Sequence, residues 1–128
     1  VHGVSIGDSY ETVISKLGTP YKEIVNTDPD ADGTSFDLHY DGISLDINEN
    51  EVLNIEITKP GHPVKGIEVG DSLAKVLDAL GQHEIQPRDK QRLSYVVRAA
   101  NGLLTDAYLL IYIENEHVSE IIFWFNYT

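Results

Sequence analysis

Asp28, Asp30 and Asp32, spaced by two and followed by Gly33, form the densest set of potential metal ligands in the chain. Alternate carboxylates of this D-x-D-x-D-G kind converge on a hard cation such as calcium, and the glycine allows the sharp turn the loop needs. Position 12 of such a loop would be His39 rather than a bidentate Glu, and no second helix follows. The corresponding stretch further along, Arg88-Asp89-Lys90-Gln91-Arg92, is basic, so a calcium site would be single. The same residues also suit a solvated acidic turn at the entry to a strand, and both readings stand at this level.

Nucleophilic chemistry finds less support. Gly70-Asp71-Ser72-Leu73 matches the tetrapeptide of one class of serine esterases, but Gly7-Asp8-Ser9 recurs at a second helix start, where Asp and Ser are ordinary caps. No downstream D-x-x-H accompanies it. The histidines, His2, His39, His62, His83 and His117, lack the i, i+4 pairing of a helical zinc site. Without cysteine there is no thiol catalysis, disulfide framework or thiolate metal site. The expectation is a protein that is not an enzyme and has no cofactor, with calcium as the alternative. An enzyme whose carboxylates meet only in space is the third reading, which a cleft lined by two close acids would support.

A different chemistry is carried by Tyr95, Tyr108, Leu110, Tyr112, Ile122 and Trp124. Along 108–113 and 118–127 both alternating faces are apolar, whereas the earlier segment 43–57 alternates apolar with polar residues. One reading packs this extra apolar face on the rest of the chain or on a second copy. The other makes it an aromatic surface for a protein partner, because Tyr and Trp dominate binding hot spots.

These residues need elements to position them, and self-similarity supplies the outline. Residues 3–18 align with residues 66–81 at an offset of 63, with seven of sixteen positions identical. In each copy Asp8 or Asp71 is placed as the helix N-cap, Glu11 completes a capping box in the first, and Gly18 or Gly81 stops the helix. Tyr10, Val13, Ile14 and Leu17 fall at helical spacing, as do Leu73, Val76, Leu77 and Leu80, so each helix buries one face. Ile43, Leu45 and Ile47, then Leu53, Ile55 and Ile57, alternate about the turn at 48–51 and predict a hairpin. Residues 108–113 and 118–127 repeat it around the turn at 114–117, and 36–40 and 93–97 supply a preceding strand. The expected fold is α+β: two tandem repeats, 1–60 and 64–128, each a short helix followed by about three antiparallel strands. The helices pack on one face of the sheet and the repeats form one compact unit, joined by the Pro/Gly-rich segment 59–63.

Composition bounds the partners. With 128 residues, nine Lys+Arg against twenty-one Asp+Glu and a net charge of −12, the chain lacks the basic face that nucleic acid requires. No apolar run reaches the roughly eighteen residues needed to span a bilayer. The acids are concentrated in residues 1–64, which hold twelve acids and three bases against nine and six in 65–128. The sequence opens Val1-His2-Gly3 rather than with Met, which suits a trimmed or mature segment whose targeting region lies elsewhere.

The pattern G-h-x-h-G-D-S-x-x-x-V-h-x-x-L-G-x-P, filled by residues 3–20, with closing strands at 52–55 and 118–121, resembles the repeat of the beta-lactamase-inhibitor-like and outer-membrane-assembly lipoprotein (SmpA/OmlA) superfamily. The two cysteine pairs and the inhibitory loop of that inhibitor are absent here. The resemblance implies a tandem α/β repeat protein exported in bacteria, often lipid-anchored, that binds another protein with its sheet face. The resulting expectation is an extracytoplasmic protein-binding module, secreted or cell-surface anchored, monomeric or weakly dimeric. The alternative is a calcium-binding structural or adhesion module.

Overall fold

The computed structural model describes residues 1–27, 34–81, 91–98 and 106–125. The elements are α1 (Tyr10–Leu17), β1 (Lys22–Thr27), β2 (Thr34–Tyr40), β3 (Ile43–Asn48), β4 (Glu51–Ile57), α2 (Leu73–Leu80), β5 (Gln91–Arg98), β6 (Asp106–Glu114) and β7 (His117–Phe125). The strands form a single antiparallel sheet in the order β1-β2-β3-β4-β7-β6-β5. The class is α+β, as the periodicities predict.

The Gly-Asp-Ser segments do open the helices, but Ser rather than Asp is the cap. Ser9 Oγ accepts the Thr12 amide and Ser72 Oγ the Lys75 amide, each at 3.2 Å. The aspartates fold the chain just before the helix: Asp8 accepts from Ser5 N at 2.8 Å and Asp71 from Glu68 N at 2.9 Å. Moving the cap by one residue puts Thr12, not Glu11, at the third helical position, so the expected capping box does not form. The Asp71 carboxyl is held below its ordinary pKa, first by that backbone hydrogen bond and further by Lys75.

Each helix start is also tied to one hairpin by matching bonds. Gly7 N donates to Val52 O and Val52 N to Asp8 O, both at 2.8 Å; Gly70 N donates to Val118 O at 2.9 Å and Val118 N to Asp71 O at 2.8 Å. The turn residues add to this, Asn50 Oδ1 accepting from Tyr10 N and Glu116 O from Leu73 N. An eight-residue helix is too short to persist alone, and these bonds with the apolar faces of α1 and α2 on the sheet hold it in place.

The helix-covered face is built of cross-strand rows. Ile43, Ile57, Ile121, Ile111 and Leu93 pair in succession through β3, β4, β7, β6 and β5, and all five are buried. Leu38, Leu45, Ile55, Phe123 and Leu109 form a second row. Val13 and Val76 enter the core from the helices, and Val4, Ile6, Val64, Ile67 and Val69 from the segments leading into them. Both long hairpins close with two residues at positive φ, Glu49 and Asn50, then Asn115 and Glu116, the mirror-image turn whose twist suits paired strands.

Three features depart from the expectation. The alternation Leu53, Ile55, Ile57 is broken by a bulge: Asp46 pairs Asn54 but Ile47 pairs Val52, so Val52 is buried and Leu53 is the extra residue. Ser119 is the extra residue at the same place in β7, and its hydroxyl bonds to Tyr112 O at 3.2 Å. The first half has a fourth strand, β1, which lacks alternating hydrophobicity and is a strand through its pairing with β2. The halves join edge to edge through β4 and β7, from Asn54 opposite Trp124 to Ile57 opposite Ile121, rather than face to face.

Candidate functional site

The strand register gives the positions of the second apolar face. Tyr108 pairs Trp124, Leu110 pairs Ile122 and Tyr112 pairs Glu120, so these positions share the sheet face opposite the helices. Tyr108, Leu110, Tyr112 and Ile122 are half-buried there. Trp124 falls in this register, while its side chain lies outside the described residues. Tyr95 does not belong to the group: it pairs with Leu109 in the register of the helix-covered face, one residue out of phase with the outer row. Its side chain also lies outside the described residues.

The outer face changes chemistry at the β4–β7 seam. Along one row Asp37, Asp46 and Asn54 lead to Trp124 and Tyr108; along the next His39, Ser44 and Glu56 lead to Ile122 and Leu110. Two buried polar atoms flank the apolar half, Asn54 Oδ1 on β4 and Arg92 Nε on β5, and neither meets a hydrogen-bond partner among the described residues. Leaving such an atom unsatisfied costs about 1–3 kcal/mol, which a docked partner could recover. Among the described residues the large hydrophobic side chains classed as exposed, Tyr21, Ile24 and Val25, cluster on or beside the free edge of β1.

Asp37 and Asp46 stand directly opposite each other, and Asn54 Nδ2 donates to Asp46 at 3.3 Å. The Asp46 carboxyl is pushed up to about 6, first by burial and then by its neighbour Asp37, with Glu56 adding to the effect and Asn54 opposing it. A carboxyl whose folded pKa lies above its unfolded one favours the fold at low pH, and that contribution is lost as pH rises from about 4 through about 6. Part of the Asp46 surface remains open to water, which screens the repulsion to a net cost on the order of 1 kcal/mol. Asp46→Asn is therefore expected to melt higher than the parent at pH 7.5 and equally at pH 3.5. Identical melting curves at pH 7.5 would refute this.

Asp28, Asp30 and Asp32 lie outside the described residues. They fall in sequence between β1 and β2, whose ends meet at the Thr27–Thr34 pair. Thr34 to His39, which would be positions 7 to 12 of a calcium loop, are strand. Among the described residues no group of three His, Asp or Glu side chains is placed to hold a metal.

Two of the scattered histidines meet. His2 Nε2 lies 2.8 Å from His62 Nδ1, and His62 Nε2 lies 2.7 Å from Asp41 O. A carbonyl only accepts, so His62 donates from Nε2 to Asp41 O. Asp41 also pairs with Lys59, beside a cavity between the β2–β3 turn and the end of β4. Neither this cluster nor the Asp37–Asp46 pair has a signal in the sequence, because each is assembled across strands.

Comparison with protein-family profiles and with curated proteins finds no match. Among solved structures, the fold is similar to an extracellular protein containing an SCP domain from Bacillus anthracis str. Ames (TM-score 0.61, 11% identity), covering 94% of this chain and 44% of that one. It is also similar to a cysteine-rich secretory protein from Staphylococcus aureus subsp. aureus Mu50 (TM-score 0.57, 12% identity), covering 93% and 44%. This chain thus spans less than half the length of either. A candidate beta-lactamase inhibitor protein from Streptococcus mutans aligns over 90% of this chain and 81% of its own at 18% identity, with a TM-score of only 0.34. The shared property is the fold.

Proposed function

We propose that this chain is a non-enzymatic, extracytoplasmic protein-binding module of a bacterial surface protein or lipoprotein. It is built from two copies of one helix-and-strand unit, 1–60 and 64–128, and docks a partner protein on the outer face of β6 and β7. The observation that carries this reading is the block of Tyr108, Leu110, Tyr112 and Ile122 on the face opposite the helices, half-buried and bordered by two unsatisfied polar atoms. Similarity in fold to two proteins described as extracellular or secretory supports the compartment. The sequence resemblance to the inhibitor-like and SmpA/OmlA repeats supports the mode of binding.

The test is affinity capture from the secreted and surface fractions of the source cells. A protein captured by the parent should bind Tyr112→Ala about tenfold or more weakly, the loss typical of a hot-spot aromatic. The single tryptophan, Trp124, adds a direct readout, since acrylamide quenching should fall when the partner is added. Capture unaffected by both Tyr112→Ala and Trp124→Ala would end the proposal.

A further inference from the structure

The geometry points to a second site, independent of the aromatic face, that binds a neutral, hydroxyl-rich sugar in the cavity at the β2–β3 turn. The cavity measures about 560 Å³, within the roughly 300–1,000 Å³ usual for small-molecule sites. One wall is Tyr21, 74% exposed, with its ring centroid 6.4 Å from that of His39 and tilted by 45°. The Tyr21 backbone is pinned by its N–H bond to His39 O at 3.0 Å, so the exposed ring stands on a fixed base.

The cavity floor is a cross-strand row. His39 pairs Ser44 and Ser44 pairs Glu56, which brings an imidazole, a hydroxyl and a carboxylate side by side on the outer face. Ser44 and Glu56 both line the cavity, presenting a hydroxyl and a carboxylate to a ligand there. On the far side Lys59 is neutralised by Asp41.

This combination selects the ligand chemistry. An anion would meet Glu56 and a chain of net charge −12, with the lining lysine already paired. An aliphatic ligand would leave the polar floor unsatisfied. A pyranose ring has an apolar C–H face that stacks on an exposed aromatic ring and hydroxyls that both donate and accept, matching Ser44, Glu56 and His39.

The test is titration of the 15N-labelled chain with chitotetraose, cellotetraose and maltotetraose, with tetramethylammonium as a cationic control, followed by amide shifts. Saturable shifts at Tyr21, His39, Ser44 and Glu56 with at least one of the sugars are expected. Tyr21→Ala should weaken that binding by about tenfold, the loss of one aromatic stacking contact, while Tyr21→Phe keeps it. Because Tyr21 is exposed, both variants should fold. Failure of all three sugars to bind, binding of tetramethylammonium alone, or undiminished sugar binding by Tyr21→Ala would each overturn the assignment.

Discussion

Ile121→Ala is expected to lower the unfolding free energy by about 2–5 kcal/mol, the cost of deleting a large buried side chain and leaving a cavity behind it. Ile121 is fully buried and pairs with Ile57 across the seam and with Ile111 within its own half, so it sits mid-row in a line of five buried residues crossing both halves. The consequence is cooperative as well as local. If the row is one core, Trp124 fluorescence and far-UV circular dichroism should report a single urea transition, displaced to lower denaturant in the variant with the slope unchanged. Two separate transitions, or a loss well under 1 kcal/mol, would show that the halves fold as independent units.

Gly42→Ala should cost about 2–3 kcal/mol, combining left-handed backbone strain with overpacking. Gly42 sits at φ +80° in the two-residue turn between β2 and β3, and its carbonyl accepts the Thr58 amide at 2.9 Å. A Cβ placed there would stand 2.6 Å from Lys59 Cβ, which is fixed close to the backbone and cannot swing aside as the tip of a long side chain would. The turn must therefore move, and the Lys59–Asp41 pair and the neighbouring cavity with it. Thermal melting measures the first effect, and the amide shifts of Asp41, Ser44 and Thr58 measure the second. A variant with unchanged melting temperature and unchanged shifts would contradict this account of the turn.

The legible part of the architecture is local. Helical spacing in 10–17 and 73–80, alternation in 43–47 and 108–113, and turn residues at 48–51 and 114–117 each depend on residues a few positions apart, and each element is present. Position within an element was harder to infer. Asp8 and Ser9 are both good caps, and which one serves depends on the bend that Asp8 makes by binding Ser5 N. The bulges at Leu53 and Ser119 turn one face of each hairpin over by a residue, so a strict alternation misplaced Leu53. The candidate site divides the same way. The outer positions of β6 and β7 follow from alternation, whereas Tyr95 lies on the neighbouring strand, where the register is set by pairing with β6 rather than by its own pattern.

By itself the sequence determined the elements, the internal likeness of 3–18 and 66–81, the apolar second hairpin and the acidic first half, because these rest on residue chemistry and near-neighbour spacing. The tertiary structure alone decided that the halves meet edge to edge, that β1 joins the sheet, and that Asp37 faces Asp46 while Ser44 lies between His39 and Glu56. Such juxtapositions depend on hydrogen-bond registers between strands whose side chains carry no local mark of their partners. They are fixed only when the shared core, with its row from Ile43 to Leu93, closes beneath them.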